Sequence, residues 1–454
     1  MRESFASPAT NSRHLPALTQ NTPLRYFNFM VLYIAQGIPE GMWLFGIPAW
    51  MAMNGKTPGE IGSFVAVCGL PWSFKIIVAP MMDRFFYLPM GRKRPWVLFG
   101  QLGLILSFLA MAFIPDPLNN LSLLMAAGFA VGFFGAFQDV ATDGMAIDII
   151  PQQQQARANG FMWGAKIMGT AASLAIGTWL LNQYGFRTAL SMLSMVVVII
   201  MLVPIFVRER PGEKLLPWTK GVPSSNNHLP KANSWKEIFT SLYKVFTLRY
   251  SLFFALFMFS ATAAFNYLDT IMSIFAVKGL GWTNQEYANF YSTANFVGGI
   301  GGMFLGGILI DKFGKVRMLN IYILLLITLL SIFSFSKSAW TNSWFISGFM
   351  ICFQILYVFT NIGMFAIAMQ CCWKKVSATQ FTLYMTISNI GRLAGAALIG
   401  PVTSKFSWQY TLFAFVILIA SAWIILQFIY ISRHVKSVNK IEAAELPSFS
   451  PALP

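Results

Sequence analysis

Long apolar stretches, separated by short polar or glycine-rich breaks, recur along the whole chain. Each runs to about 20 residues or more, enough to cross roughly 30 Å of hydrocarbon as a helix. Twelve such spans are placed near 25–53, 58–82, 96–115, 121–149, 156–181, 187–207, 250–277, 285–310, 318–336, 341–370, 378–404 and 408–432. Between the sixth and seventh the pattern lapses into RERPGEKLLPWTKGVPSSNNHLPKANSWKE, rich in Pro, Ser, Asn and Lys, which reads as a linker. The expected organisation is a tail over 1–24, a six-helix half over 25–207, a linker over 208–249, a second six-helix half over 250–432 and a tail over 433–454. The expected fold class is an all-α polytopic membrane protein of 12 transmembrane helices in two six-helix halves.

Composition strengthens this reading. The chain is 56% hydrophobic and only 11% charged, against about 25% charged in soluble domains. A net charge of +16 could suggest nucleic acid, but the cations fall into alternate loops and form no single stripe. With both termini placed inside, about 24 Lys and Arg lie in cytoplasmic segments and about 5 in the opposite loops, the bias of the positive-inside rule. Both termini are therefore expected to be cytoplasmic. Residues 1–24 are polar and the first apolar stretch is a full span, so no signal peptide is expected. The four cysteines sit in or beside spans and suggest no disulfide framework.

Seven ionisable residues fall inside the spans and away from their ends: Glu40, Lys75, Asp139, Asp143, Lys166, Asp269 and Arg392. Each costs about 2.5–3.5 kcal/mol at a helix centre on insertion scales, so they should face a cavity, pair with one another, or both. Asp139 and Asp143, in FQDVATDGMAID, are four apart and share a helix face. Two carboxylates this close and out of water hold a proton more readily than one alone, which suits proton coupling. The alternative is a structural pair neutralised by Lys75 or Lys166, or Asp143 reaching water. Glu40 lies among Pro39, Gly41, Gly46 and Pro48, which weaken the helix. Interrupted spans of this kind free backbone groups for a solute, although Glu40 could also simply pair with a lysine. Lys75 is a candidate counter-charge or a snorkelling cation, and Lys166 is equally ambiguous. Asp269 is the counterpart acid of the second half. Arg392 is about midway along its span, with Asn389 and Gly391 leaving room beside it, and its planar fork suits a carboxylate or phosphate. Candidate solute-binding residues are thus Glu40, Lys75, Arg392 and Asn389, and candidate proton-coupling residues are Asp139, Asp143 and Asp269. All three histidines lie outside the spans, which argues against a buried histidine relay or metal site. The glycine run GGIGGMFLGG should allow close helix approach.

The halves read as a duplicated unit. MMDRFFYLPMGRKRPW follows the second span and GGILIDKFGKVR ends the eighth; each sets an Asp and a cation at a span end, then Gly with further cations. The second copy, through Gly307, Asp311, Lys312, Gly314 and Lys315, resembles the G-x-x-x-D-[RK]-x-G-[RK] loop of the major facilitator superfamily. The first, through Asp83, Arg84, Gly91 and Arg92, carries a short insertion and has Ala79 where a Gly is expected. Physically such loops offer an Asp to a neighbouring helix N-terminus and cations to carbonyls or carboxylates, a conformational latch. In that fold spans 3, 6, 9 and 12 are peripheral, and those four carry none of the seven charges.

Three stretches further resemble the muropeptide permeases of the AmpG type and the related acetyl-coenzyme A transporters: PWSFKIIVAPMMDRF…GRKRPW, FQDVATDGMAID…RANGF and SATQFTLYMTISNIGRLAGAALIGPV. Siderophore importers of the same branch share an opening similar to YIAQGIPEG followed by LPWSFK. On this resemblance Lys75, Gln138, Asp139, Asp143 and Arg392 fall on motif positions, and Gln138 joins the solute-binding candidates. It implies a secondary active transporter importing a medium-sized polar or anionic solute with protons across a bacterial inner membrane, with a muropeptide first and a siderophore second. Span 4 lacks the arginine that many proton-coupled facilitators keep there. The expected partners are a small-molecule solute, protons and the lipid bilayer, with no nucleic acid and no cofactor, and the chain is expected to be a monomer. Rival classes are a membrane-embedded acyltransferase, for which no Ser/His/Asp grouping is present, and a sensor or scaffold using the linker.

Overall fold

Twelve helical spans are found among the residues described by the computed structural model, which are 17–56, 58–221, 234–282 and 284–445. Parts of the expected tails and linker, 1–16, 222–233 and 446–454, lie outside the described residues. Span 1 covers 22–53 as Thr22–Gly41, a π-helical turn Met42–Gly46 and Ile47–Met53. Span 2 covers 58–84, with a 3₁₀ turn Leu70–Phe74 before Lys75–Arg84. Spans 3 and 4 are Arg94–Ala112 and Leu121–Ile149. Gln155–Phe206 is one hydrogen-bonded run, but Gly185 takes φ +81°, a value only glycine adopts freely, and folds it into span 5 (155–184) and span 6 (186–206). The second half follows as span 7 (Arg249–Lys278), span 8 (284–313, with a π turn Gly302–Gly306), span 9 (Lys315–Phe335), span 10 (Ser343–Cys371), span 11 (377–403) and span 12 (Trp408–Leu426).

Nine described helical stretches are long and apolar enough to cross a bilayer, and one of these, 152–206, contains both spans 5 and 6. The two spans that fall short are 1 and 11. Both carry polar residues on the face that lines the interior, Glu40 in one and Ser388, Asn389 and Arg392 in the other. A helix screened from lipid on that side does not need to be apolar all round.

The packing repeats between halves. Span 1 lies on span 5, span 2 on span 4, and span 3 on spans 4 and 6; likewise span 7 lies on span 11, span 8 on span 10, and span 9 on spans 10 and 12. Across the middle, spans 2 and 4 meet span 11, and span 5 meets spans 8 and 10. The span 5–span 8 contact is a glycine seam. A Cβ on Gly160 would stand 2.7 Å from the Gly302 carbonyl oxygen, one on Gly164 2.7 Å from that of Gly299, and one on Gly307 2.4 Å from the Arg157 Cα. The obstacles are mostly backbone and cannot turn aside. Gly307→Ala is therefore expected to destabilise the protein by roughly 1–3 kcal/mol, seen as a lower thermal midpoint in detergent. An unchanged midpoint would mean the two backbones are not in contact.

Two further helices were not evident as elements in the sequence. Trp235–Phe246 occupies the end of the linker, capped by the Ser234 hydroxyl, which accepts from the Glu237 N–H at 3.1 Å. Its Ile238 and Val245 pack with Trp373, Val376 and Val438. Ile431–Glu445 follows span 12, and there the buried His434 ring is 2.8 Å from the Cys371 carbonyl oxygen. Burial holds the His434 imidazole below its ordinary value.

Candidate functional site

All seven intramembrane ionisable residues line one cavity of about 520 Å³ between the halves. Its walls come from spans 1, 2, 4, 5, 7, 10 and 11. In span 2 the 3₁₀ turn around Pro71 brings the Trp72 ring beneath Lys75, whose ammonium is 3.8 Å from the ring centroid. Lys75 forms an ion pair with Asp139. One turn along span 4, Asp143 accepts a hydrogen bond from the Tyr33 hydroxyl of span 1. The two span 4 acids therefore have different partners, one a cation and the other a neutral donor.

On the adjoining wall Lys166 pairs with Glu40 at 3.0 Å, and its ammonium lies 5.1 Å from the Trp72 centroid and 5.5 Å from that of Trp163. Trp163 in turn packs on Phe365 of span 10, with centroids 5.0 Å apart. From the second half, Asp269 accepts from the Tyr291 hydroxyl at 2.7 Å. Arg392 and Asn389 lie one turn apart on span 11, both open to the cavity.

Gln138, a solute-binding candidate, is not among the residues that line the cavity. It is fully buried, and its amide donates to the Leu32 carbonyl at 3.0 Å while its Cα packs against Gly100. One residue is about 100° of helix rotation, so Gln138 faces spans 1 and 3 while Asp139 faces the cavity. Trp72, Trp163, Tyr33 and Tyr291 were missed. Trp72 and Trp163 carried a usable signal, the i,i+3 spacing from Lys75 and from Lys166.

The paired loops close one end of the molecule. Asp83 accepts from the Lys93 ammonium at 2.6 Å and from both the backbone N–H and the hydroxyl of Thr379 at 2.8 Å. Thr379 is in the first turn of span 11, where a negative charge is favoured by the helix dipole. Arg92 donates to the carbonyls of Lys374 (2.8 Å) and Lys375 (3.1 Å) in the other half and lies 3.5 Å from Asp148. The second loop mirrors this. Asp311 accepts from the Arg157 N–H, in the first turn of span 5, at 3.1 Å. Lys315 donates to the Gln152 carbonyl (2.9 Å) and to the side chains of Gln155 and Gln370. Each loop aspartate thus caps the fifth span of the opposite half.

Gly91 takes φ +108° and Gly314 φ +94°, the turns that start spans 3 and 9. Against Gly91 sits Glu209, fully buried, whose carboxylate accepts the backbone N–H groups of Arg92, Lys93 and Arg94 at 2.5–2.9 Å. Beside it, burial and then the Glu209 charge push the Glu213 carboxyl up to about 8. This capping segment lies in what the sequence presents only as linker. Arg84 and Lys312, expected in the latch, stand apart from the contacts just described. The Arg84 guanidinium packs 4.9 Å from the Trp235 centroid, and Lys312 is exposed beside Phe313. Among the described residues neither makes a hydrogen bond or ion pair to the opposite half, because each follows its aspartate and so points to another side of the helix end.

A family model described as Major Facilitator Superfamily matches residues 29–396. The chain belongs to the major facilitator superfamily. Among curated members of similar sequence, it is 24% identical over 392 residues to the anhydromuropeptide permease of Escherichia coli K12, covering 83% of this chain and 73% of that one. It is 25% identical over 419 residues to the putative transporter AmpG 4 of Rickettsia felis, covering 87% and 94%. The major facilitator FucP, solved in the outward conformation, shares the fold at a TM-score of 0.67 and 14% identity, covering 89% of this chain and 98% of that chain. The human organic anion transporter MFSD10 does so at 0.65 and 12%, covering 91% and 100%. This facilitator is thus a multi-pass membrane transporter of small solutes with AmpG-like relatives.

Proposed function

We propose that the protein is a proton-coupled importer of a medium-sized polar or anionic solute, muropeptide-like, in a bacterial inner membrane. It acts as a monomer with both termini in the cytoplasm. The observation that carries this reading is the convergence of all seven intramembrane charges on one chamber between the halves. Charges placed there escape lipid and can meet a solute and a proton together. The span 4 acids, Asp139 paired with Lys75 and Asp143 with Tyr33, are the proton-handling groups, with Asp269 as their counterpart. Glu40, Lys75, Asn389 and Arg392 line the solute's berth. The cation bias of the loops supports the orientation, which puts the latched end at the cytoplasm and leaves the other end to admit solute. The anhydromuropeptide permease of E. coli, similar over most of the chain, supports the solute class.

The test is accumulation of labelled anhydromuropeptide by energised inside-in membrane vesicles. Uptake is expected to exceed that of vesicles lacking the protein and to collapse when a protonophore is added. Uptake indifferent to the protonophore would remove the coupling. Accumulation of a ferric siderophore in place of the muropeptide would reassign the solute and keep the mechanism.

A further inference from the structure

We propose that an anionic group of the solute, a carboxylate by preference, is clamped between Lys166 of span 5 and Arg392 of span 11, taking the place that Glu40 holds beside Lys166. This rests on the transport reading above and names the chemistry of its site. In the sequence, Lys75 and Arg392 looked like the counter-charges. The structure commits Lys75 elsewhere: it is buried and ion-paired with Asp139.

The other two cations are in a different condition. Among the described residues no carboxylate lies within ion-pairing distance of Arg392, although its side chain is open to the cavity. The Tyr357 hydroxyl lies beside it on the chamber wall, which leaves most of a five-donor fork open. Lys166 has Glu40, but that carboxylate keeps 28% of its side-chain surface exposed, so the pair is accessible from the chamber. Arg392 is near enough to Lys166 to act on it electrostatically. Two cations from opposite halves thus face the chamber with one contact ion pair between them, Lys166–Glu40, while Asp139 and Asp269 act on Lys166 and Arg392 from beyond ion-pairing distance. An anion set against the open fork of Arg392 therefore meets donors that no carboxylate of the protein contacts.

The surroundings select what the anion is attached to. Trp72 and Trp163 both lie against the Lys166 ammonium, at 5.1 and 5.5 Å from their ring centroids. Their indoles, with Phe365 behind Trp163, offer flat faces for a ring or an apolar portion of the same molecule. An anion that touches both cations also links the halves across the chamber, so its binding energy differs between open and closed states, the condition for a ligand to shift that equilibrium.

Two measurements on purified full-length protein test the clamp. First, citrate serves as a generic polycarboxylate probe. It is expected to raise the wild-type thermal midpoint in detergent, and both Lys166→Gln and Arg392→Gln are expected to lose that shift while Lys166→Arg keeps it. Absence of a citrate shift in the wild type, or an undiminished shift in both neutral variants, would overturn the clamp. Second, in proteoliposome counterflow of labelled anhydromuropeptide, each neutral variant should raise KM at least about tenfold and change little for the carboxamide of the same solute. Glu40→Gln, which leaves Lys166 free, should lower KM for the acid. Wild-type counterflow with KM unchanged in Lys166→Gln and Arg392→Gln would sink the clamp and leave the transport reading standing. Citrate shifts lost in those variants, without wild-type counterflow, would retain the clamp and remove the solute.

Discussion

Asp139→Asn is expected to lower the initial rate of protonophore-sensitive uptake by at least about tenfold, equivalent to about 1.4 kcal/mol in the barrier, at equal amounts of inserted protein. Asparagine keeps the shape and cannot ionise. It also leaves Lys75 buried without its counter-charge, and breaking a buried pair destabilises by about 3–5 kcal/mol in general. A loss of uptake could therefore come from misfolding alone. The double variant Asp139→Asn/Lys75→Gln separates the two, since it removes both charges and with them the uncompensated one. Fluorescence-detected size-exclusion should show the double variant folded and uptake measurements should show it inactive. Uptake near the wild-type rate in the double variant would make the pair a structural device.

At the latch, Asp83→Ala is expected to have the largest conformational effect. It would strip a fully buried carboxylate from the equally buried Lys93 ammonium and from the first turn of span 11. The cost, about 3–5 kcal/mol by analogy with other buried pairs, falls on the conformation in which the latch is closed. A cavity thiol reports it: Asn389→Cys, in a background without the four native cysteines, should react with a membrane-impermeant maleimide added on the side away from the termini. In Asp83→Ala that reaction should slow markedly, as the population moves to the opposite state. Asp311→Ala should do the same more weakly, because its ion-pair partner Arg157 has a side chain 42% exposed and lies 3.7 Å away. Equal labelling rates in all three proteins would show that the loops do not set the balance.

The architecture was largely written in the apolar runs, because a bilayer demands long unbroken stretches and punishes exceptions. The exceptions were informative as well: seven charges in a hostile solvent have few places to go, and all seven reached one chamber. What remained hidden was anything dependent on helix rotation. Lys75 could have met Asp139 or Glu40, and a few tens of degrees of span 2 decide it. Gln138 sits beside Asp139 in the chain and 100° away in space, so motif position alone does not tell which face it takes. Glu209 lay in a Pro- and Lys-rich segment that looked like connector, yet three backbone N–H groups converge on it. Trp235–Phe246 carried a helical signal, with Ile238 and Val245 on one side and Trp235, Phe239 and Tyr243 at four-residue steps on another. Its short length and polar flanks masked it.

The glycine seam between spans 5 and 8 has a mechanical meaning for a molecule that rocks. It runs from the Arg157–Gly307 contact beside the Asp311 latch, through Gly160 and Gly302, to Gly164 and Gly299, short of the Lys166 ammonium. Bare backbone on bare backbone is a fulcrum without cushioning, fixed in place but free to tilt. On the transport reading proposed above, with the bolt on one arm of this lever and the berth on the other, a modest tilt would unfasten the first as it narrowed the second.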